Sequence, residues 1–257
     1  MPTAAFLRHL PMIAAACAIF FSGGHAANAQ AQSKEDIEKI VREYLLKNPE
    51  IIQEAIMELR KKQETAENDM RSKAINTYKK QIFESPRDIV IGNPKGNVTL
   101  VEFFDYNCGY CKRALNDISE LIKSDPNLKV VLKELPILSE GSVEAARVAV
   151  AVRLQDPSKY WAFHRTLMGA KGEANGAQAL AAAKAAGLDI GRIQKDINNP
   201  EVDATLHEVA ALAKSLSISG TPSYVLGDQL IPGALPHDRL ASAIAQVRKC
   251  GKVECSN

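Results

Sequence analysis

Two cysteines two residues apart, Cys108 and Cys111 in the stretch FFDYNCGYCKRAL (Phe103 to Leu115), are the residues of this chain whose types and spacing most directly imply chemistry. Such a pair can be half of a metal site, a structural bridge or a redox couple, and its setting decides among them. The preceding run VTLVEFFDY is β-branched and aromatic, the composition of a buried strand. After the pair, Leu115, Ile118, Leu121 and Ile122 keep helical spacing, and LKVVLKELPIL reads as a second strand. The pair is therefore expected where a strand turns into a helix inside a strand–helix–strand unit. There the first thiol meets exposed N–H groups and the positive end of the helix dipole, which favour a thiolate. Thiols so placed have pKa values of roughly 3.5 to 7.5, against about 8.5 for a free cysteine. Cys108 is the candidate nucleophile. Cys111, one turn deeper, is close enough to form a tight disulfide with it and is the candidate resolving thiol. Lys112 and Arg113 in the same turn either add favourable positive charge or are ordinary solvated side chains. Gly109 and Tyr110 between the thiols carry no charge, and the direction of electron flow stays open.

The elements that must hold this pair follow from the rest of the chain. With 257 residues, 46% hydrophobic and 24% charged, the sequence suffices for one sizeable core and an accessory segment. The formal charge of +2, with no basic block interleaved with aromatics, argues against a nucleic-acid partner. Residues 1–29 read as a secretory signal: Arg8 and His9 precede LPMIAAACAIFF, and small residues at Ala27 and Ala29 place the cut after Ala29. The apolar run is short of the roughly 20 residues of a membrane-spanning helix. Lipidation at Cys17 is the other alternative, but AAA precedes that cysteine and the apolar run continues past it. Removing the leader takes Cys17 with it and leaves Cys108, Cys111, Cys250 and Cys255, an even number, in a periplasmic or secreted setting where disulfides persist.

Residues 30–87 are expected as an N-terminal helical segment. Apolar stripes at Ile37, Ile40, Val41, Tyr44 and Leu45, then Ile52, Ala55, Ile56 and Leu59, are separated by Asn48 and Pro49, read as an N-cap and first-turn proline. RKKQETAENDMRSK is polar all round, a solvent-spanning helix or a linker. Stripes on short helices need a partner surface, so residues 33–82 are expected to mediate a homo-oligomer, a trimer or dimer, with docking on the chain's own main domain as the alternative. From about 140 to 217 the chain is Ala-rich and helical, an insertion. PSYVL and QLIPG around Gly227 and Asp228 form an expected hairpin, followed by a last helix from about His237 to Lys249.

VEFFDYNCGYCK followed much later by GTPSYVL resembles the thioredoxin superfamily, and specifically the DsbA-like thiol-disulfide oxidoreductases. The resemblance implies an α/β thioredoxin fold with an inserted helical subdomain over residues 88–257. It implies that Thr221 and Pro222 form a cis-proline loop against the cysteine pair. It also implies that Glu102, six residues before Cys108, is a buried carboxylate that moves the proton of the second thiol. The histidine that well-known strong oxidants carry between their cysteines is absent, so strong oxidant behaviour is not carried over. The N-terminal helices resemble those of the suppressor-of-copper-sensitivity C proteins, some of which oligomerise through this region. The partners implied are secreted client proteins with cysteines and a membrane redox partner that resets the pair, and no cofactor is needed.

Cys250 and Cys255 are read as a structural bridge at the C-terminal tail. A loop so short contributes only about 2 kcal/mol. Two other functions compete: a periplasmic metal-binding protein holding copper or zinc on the cysteine pairs, and a non-catalytic assembly protein in which Cys108 and Cys111 are merely a staple. Trp161, His164 and His207 are read as structural.

Overall fold

Around the cysteine pair, the β-branched runs assemble into a five-stranded mixed sheet. The computed structural model describes residues 33–255; the expected leader and its cleavage site lie outside them. Strands β1 (Ile89–Gly92), β2 (Val98–Phe104), β3 (Leu128–Glu134), β4 (Ser223–Leu226) and β5 (Gln229–Pro232) take the order β1-β3-β2-β4-β5. β2 and β3 are parallel and joined through helix α4 (Gly109–Ser124), so the expected strand–helix–strand unit is present. The other three pairings are antiparallel, and β4 and β5 form the expected hairpin.

Both faces of the central strands are buried, which is why they read as nearly continuous apolar runs. Val98, Leu100 and Phe104 of β2 join one cluster with Cys108, Cys111, Ile118 and Leu121 of α4 and with Leu240 and Ile244 of helix α10 (His237–Cys250). Val101 and Phe103 join the cluster on the other face, with Val209, Leu212 and Ala213 of helix α9 (Pro200–Ser215). Between β3 and β4 lie α5 (Glu140–Gln155), a 3₁₀ turn (Pro157–Lys159), α6 (Tyr160–Gly169), α7 (Gly176–Ala185), α8 (Ile190–Asp196) and α9. This run is the expected helical insertion.

The region before the sheet differs from expectation in two respects. Strand β1 was not foreseen: it has four residues at the sheet edge, exposes Val90, and ends at Gly92 with φ +72°, where a side chain would meet the Leu128 carbonyl. Asn48 does not cap the second helix. Its backbone N–H and its side-chain amide both donate to Tyr44 O, at 2.9 and 2.8 Å, so it closes helix α1 (Lys34–Lys47) instead. Helix α2 (Glu50–Thr77) is then a single 28-residue helix that includes the whole polar run.

The described residues divide into two compact units, which part between Ile56 and Met57. Within the first, α1 begins with a Ser33–Asp36 capping box and buries no residue, and Ile37, Ile40, Val41 and Tyr44 stand about half exposed. The second contains more than the segment that begins at Asp88. Ile75 of α2 and Ile82 of helix α3 (Lys79–Phe83) are buried against Val101, Phe103 and Val225.

A buried ion pair fixes that junction. The Lys133 ammonium, on the α9 side of β3, binds Asp88 and donates to Gln81 O at 2.9 Å, and both charged side chains are almost wholly buried. Burial raises the Asp88 pKa, and the Lys133 charge opposes that rise. Removing one member of such a pair strands the other. Lys133→Met is expected to lower the free energy of unfolding by about 3–5 kcal/mol. Adding Asp88→Asn should recover part of that loss, as denaturant titration of the two variants would show.

Candidate active site

Cys108 is the N-cap of α4, held there because β2 runs out at Phe104 into a tight loop. The loop is set by Asp105. Its buried carboxylate accepts from Asn107 N (2.7 Å), Ser142 Oγ (2.7 Å), Ile137 N (2.9 Å) and Leu138 N (3.1 Å). Asn107 then clamps the insertion: its Nδ2 donates to Ala174 O (2.8 Å) and Ser142 Oγ (2.9 Å), and its Oδ1 accepts from Ala174 N (2.6 Å). Sequence reasoning missed both residues. An acidic residue followed two positions later by Asn after a strand is an Asx-turn signal, and that could have identified them.

The two thiols are free and both residues are buried. Cys111 N donates to Cys108 Sγ at 3.3 Å, and Cys108 Sγ donates to Thr221 O at 3.0 Å. The Thr221–Pro222 peptide is cis, so the residues expected to form that loop lie against the first thiol. The Cys108 pKa is lowered to about 5, chiefly because the Cys111 thiol donates to the sulfur, with smaller lowering influences from the Thr221 side-chain hydroxyl nearby and from the Cys111 and Tyr110 N–H groups; burial opposes the shift. The Cys111 pKa is raised by that same hydrogen bond, by burial and by the Glu102 charge.

Glu102 lies in β2 between Leu132 of β3 and Tyr224 of β4 and is 5% exposed. Its pKa is raised to about 8 by burial and by the nearby Cys108 charge, while the Tyr224 hydroxyl lowers it. The structure thus brings Cys108, Cys111, Glu102, Thr221 and Pro222 together at one end of the sheet. Lys112 and Arg113 are committed elsewhere. The Lys112 ammonium donates to Ala170 O (3.4 Å) and Gly172 O (3.1 Å), and the Arg113 guanidinium lies 4.2 Å from the centre of the Tyr110 ring.

Cys250 and Cys255 are joined by a disulfide at the end of α10, far along the chain from this site. Among the described residues no group of three or more His, Cys, Asp or Glu side chains is arranged to hold a metal ion. His164 is buried and stacks on Trp161, its pKa lowered to about 3 by burial; His207 is exposed on α9.

Residues 99–245 match the DSBA-like thioredoxin domain family, and this is more than half of the chain. The chain belongs to that family. Residues 34–66 match the copper resistance protein ScsC N-terminal domain. A thioredoxin-like oxidoreductase from Silicibacter pomeroyi is 46% identical, with a TM-score of 0.64 over 66% of this chain and 98% of that one. Proteus mirabilis ScsC in a transitional conformation is 29% identical, with a TM-score of 0.65 over 84% of this chain and 96% of that one. Among curated proteins, the Na(+)/H(+) antiporter NhaA 1 of Salinispora arenicola is 27% identical over 62% of this chain, but the chain spans only 24% of that protein's length. No described helix here is long and apolar enough to cross a membrane.

The geometry fixes a pH dependence. Alkylation of the reduced pair is expected to occur at Cys108, rising through a midpoint near pH 5 and flat above it, with Cys111 unreactive across that range. The folded pKa of Cys108 lies below the free value of about 8.5, so the thiolate stabilises the reduced fold fully above that free value. The contribution shrinks below it and is lost as pH falls through about 5. Alkylation rates and denaturation of the reduced chain, each followed against pH, measure the two effects.

Proposed function

We propose that the chain is an exported thiol-disulfide oxidoreductase and isomerase acting through Cys108-Gly-Tyr-Cys111 on secreted proteins. The observation that carries this reading is the asymmetry of the pair: one thiol at a helix N-cap with its pKa near 5, the other buried with its pKa raised. In the reducing direction, the Cys108 thiolate attacks a client disulfide, forms a mixed disulfide and expels one client thiolate. Cys111 gives its proton to Glu102, attacks Cys108 Sγ and expels the second client thiolate. Two electrons pass to the client, and Cys108 and Cys111 are left as a disulfide. The reverse sequence oxidises a client dithiol. If a second client thiolate attacks the mixed disulfide first, the client disulfide is rearranged and no electrons are transferred.

The electrostatics support this order of steps. While Cys108 is a thiolate, its charge helps to keep Glu102 protonated. Formation of the mixed disulfide removes that charge, so the carboxyl ionises more easily when it has to accept a proton. On this reading Glu102, Thr221 and Pro222 belong to the site, with the Thr221 carbonyl, which accepts from Cys108 Sγ, marking where a client backbone approaches the sulfur. Export is supported by the leader-like residues 1–29 and by the Cys250–Cys255 disulfide. A membrane redox partner is the reagent that resets the pair.

The exposed stripes, Ile37, Ile40, Val41 and Tyr44 on α1 and Ile52 and Ile56 on α2, support self-association, since a helix such as α1 that buries none of its apolar residues in its own chain gains little stability alone. Several sites on one particle could hold and reshuffle one client. Val41→Glu with Ile52→Glu is expected to reduce the particle mass to that of one chain and abolish reactivation of a scrambled-disulfide protein, leaving dithiol oxidation intact. Cys108→Ser should abolish both activities. Equal mass and equal reactivation in the stripe variant would remove the isomerase assignment, and activity in Cys108→Ser would remove the whole reading.

A further inference from the structure

One buried hydroxyl near the site is left unused by this mechanism. Tyr224 stands directly opposite Glu102 in the antiparallel β2–β4 pair, so the two side chains share a face of the sheet. Tyr224 is fully buried, and its Oη closes no full hydrogen bond. A buried hydroxyl without a partner is costly. The acidic groups around it are Glu102, Cys111, Asp117 and Cys108, in that order of influence. The rest of its surroundings are apolar: Leu240, Ala243 and Ile244 of α10 belong to the same cluster, Ile231 of β5 is its strand partner, and Leu132 of β3 closes the far side of Glu102. Cys111 and Asp117 lie on α4 and Cys108 is its N-cap, and no cation belongs to the set.

We infer that Tyr224 is a positioning residue for the proton step at Cys111: its hydroxyl donates to the Glu102 carboxylate and holds the ionised form ready to take the Cys111 proton. The contact is loose in the reduced site, where Cys108 carries the charge. It tightens when the mixed disulfide forms and the negative charge passes to Glu102. A donor to a carboxylate stabilises the charged form, which agrees with the direction in which Tyr224 acts on Glu102. Asp117 lines an open cavity with Thr221, Tyr110 and Leu235. The proton taken from Cys111 therefore has a carboxylate beside Tyr224 that stands at the solvent boundary.

The inference rests on the proposed thiol-disulfide chemistry, and the experiment separates the two. The mixed disulfide of Cys108 with nitrothiobenzoate is prepared in the full chain, and release of the coloured thiol is followed against pH. Release should depend on Cys111 and rise through the ionisation of Glu102. In Tyr224→Phe, the midpoint is expected to move up by about one pH unit, making release about tenfold slower on the rising limb, with the high-pH plateau unchanged. Glu102→Gln should remove that limb, and Tyr224→Phe added to it should move nothing further. An unmoved midpoint, or a lowered plateau alone, overturns the role of Tyr224. Release that persists in Cys111→Ser overturns the proposed function instead. Tyr224→Phe keeps the ring in the core and removes only an unpaired hydroxyl, so the fold is expected to hold. Carbon NMR of the unsubstituted chain supplies a second measurement: the Tyr224 Cζ resonance should titrate together with the Glu102 carboxyl, and a Cζ signal indifferent to that titration also overturns the role.

Discussion

The whole site depends on the abrupt change from β2 to α4 at the end of a parallel strand pair. A helix that starts there offers N–H groups with no partners of their own, and the first side chain able to accept from them is the Cys108 sulfur. Everything else either maintains that start or responds to the charge it creates. Asp105 uses both carboxylate oxygens to fix the loop, and Asn107 ties it to the insertion at Ala174. The helical insertion is thereby more than a cover over one side of the sheet. It supplies backbone and hydroxyl partners without which the residue before Cys108 would lose its fixed position.

Much of this was legible in the sequence, because the signals were local and redundant. The strand, the helix and the cysteine spacing agree around Cys108, and the hairpin at Gly227 and Asp228 pairs in the register that places Thr221 against the thiol. The parts that were not legible depend on contacts distant in sequence. β1 has too few residues to show a period and is a strand only because β3 offers it an edge. Asn48 carries the composition of a helix start, but its amide turns back to Tyr44 instead. Lys133 looks like a solvent-facing residue in an apolar run and is buried because Asp88 and Gln81 meet it from elsewhere. Tyr224 and Glu102 are more than a hundred positions apart, and only the sheet register makes them neighbours.

The two units of the chain use apolar residues in opposite ways. In the second, Ile75 and Ile82 complete a core that the sheet alone would leave open on one face. In the first, residues of the same chemical type stay about half exposed on α1 and on the first turns of α2. Helix α2 belongs to both regimes, with its early turns apolar on one side, its middle charged all round and its last turns packed inward.

The engagement of Lys112 with Ala170 and Gly172, and of Arg113 with the Tyr110 ring, means that the field on Cys108 comes from backbone N–H groups and a neighbouring thiol. Such a field is short-ranged and partly shielded from solvent, and mobile ions screen it far less than they screen exposed side-chain charges. This arrangement keeps the Cys108 thiol in the same protonation state in dilute and in salty media.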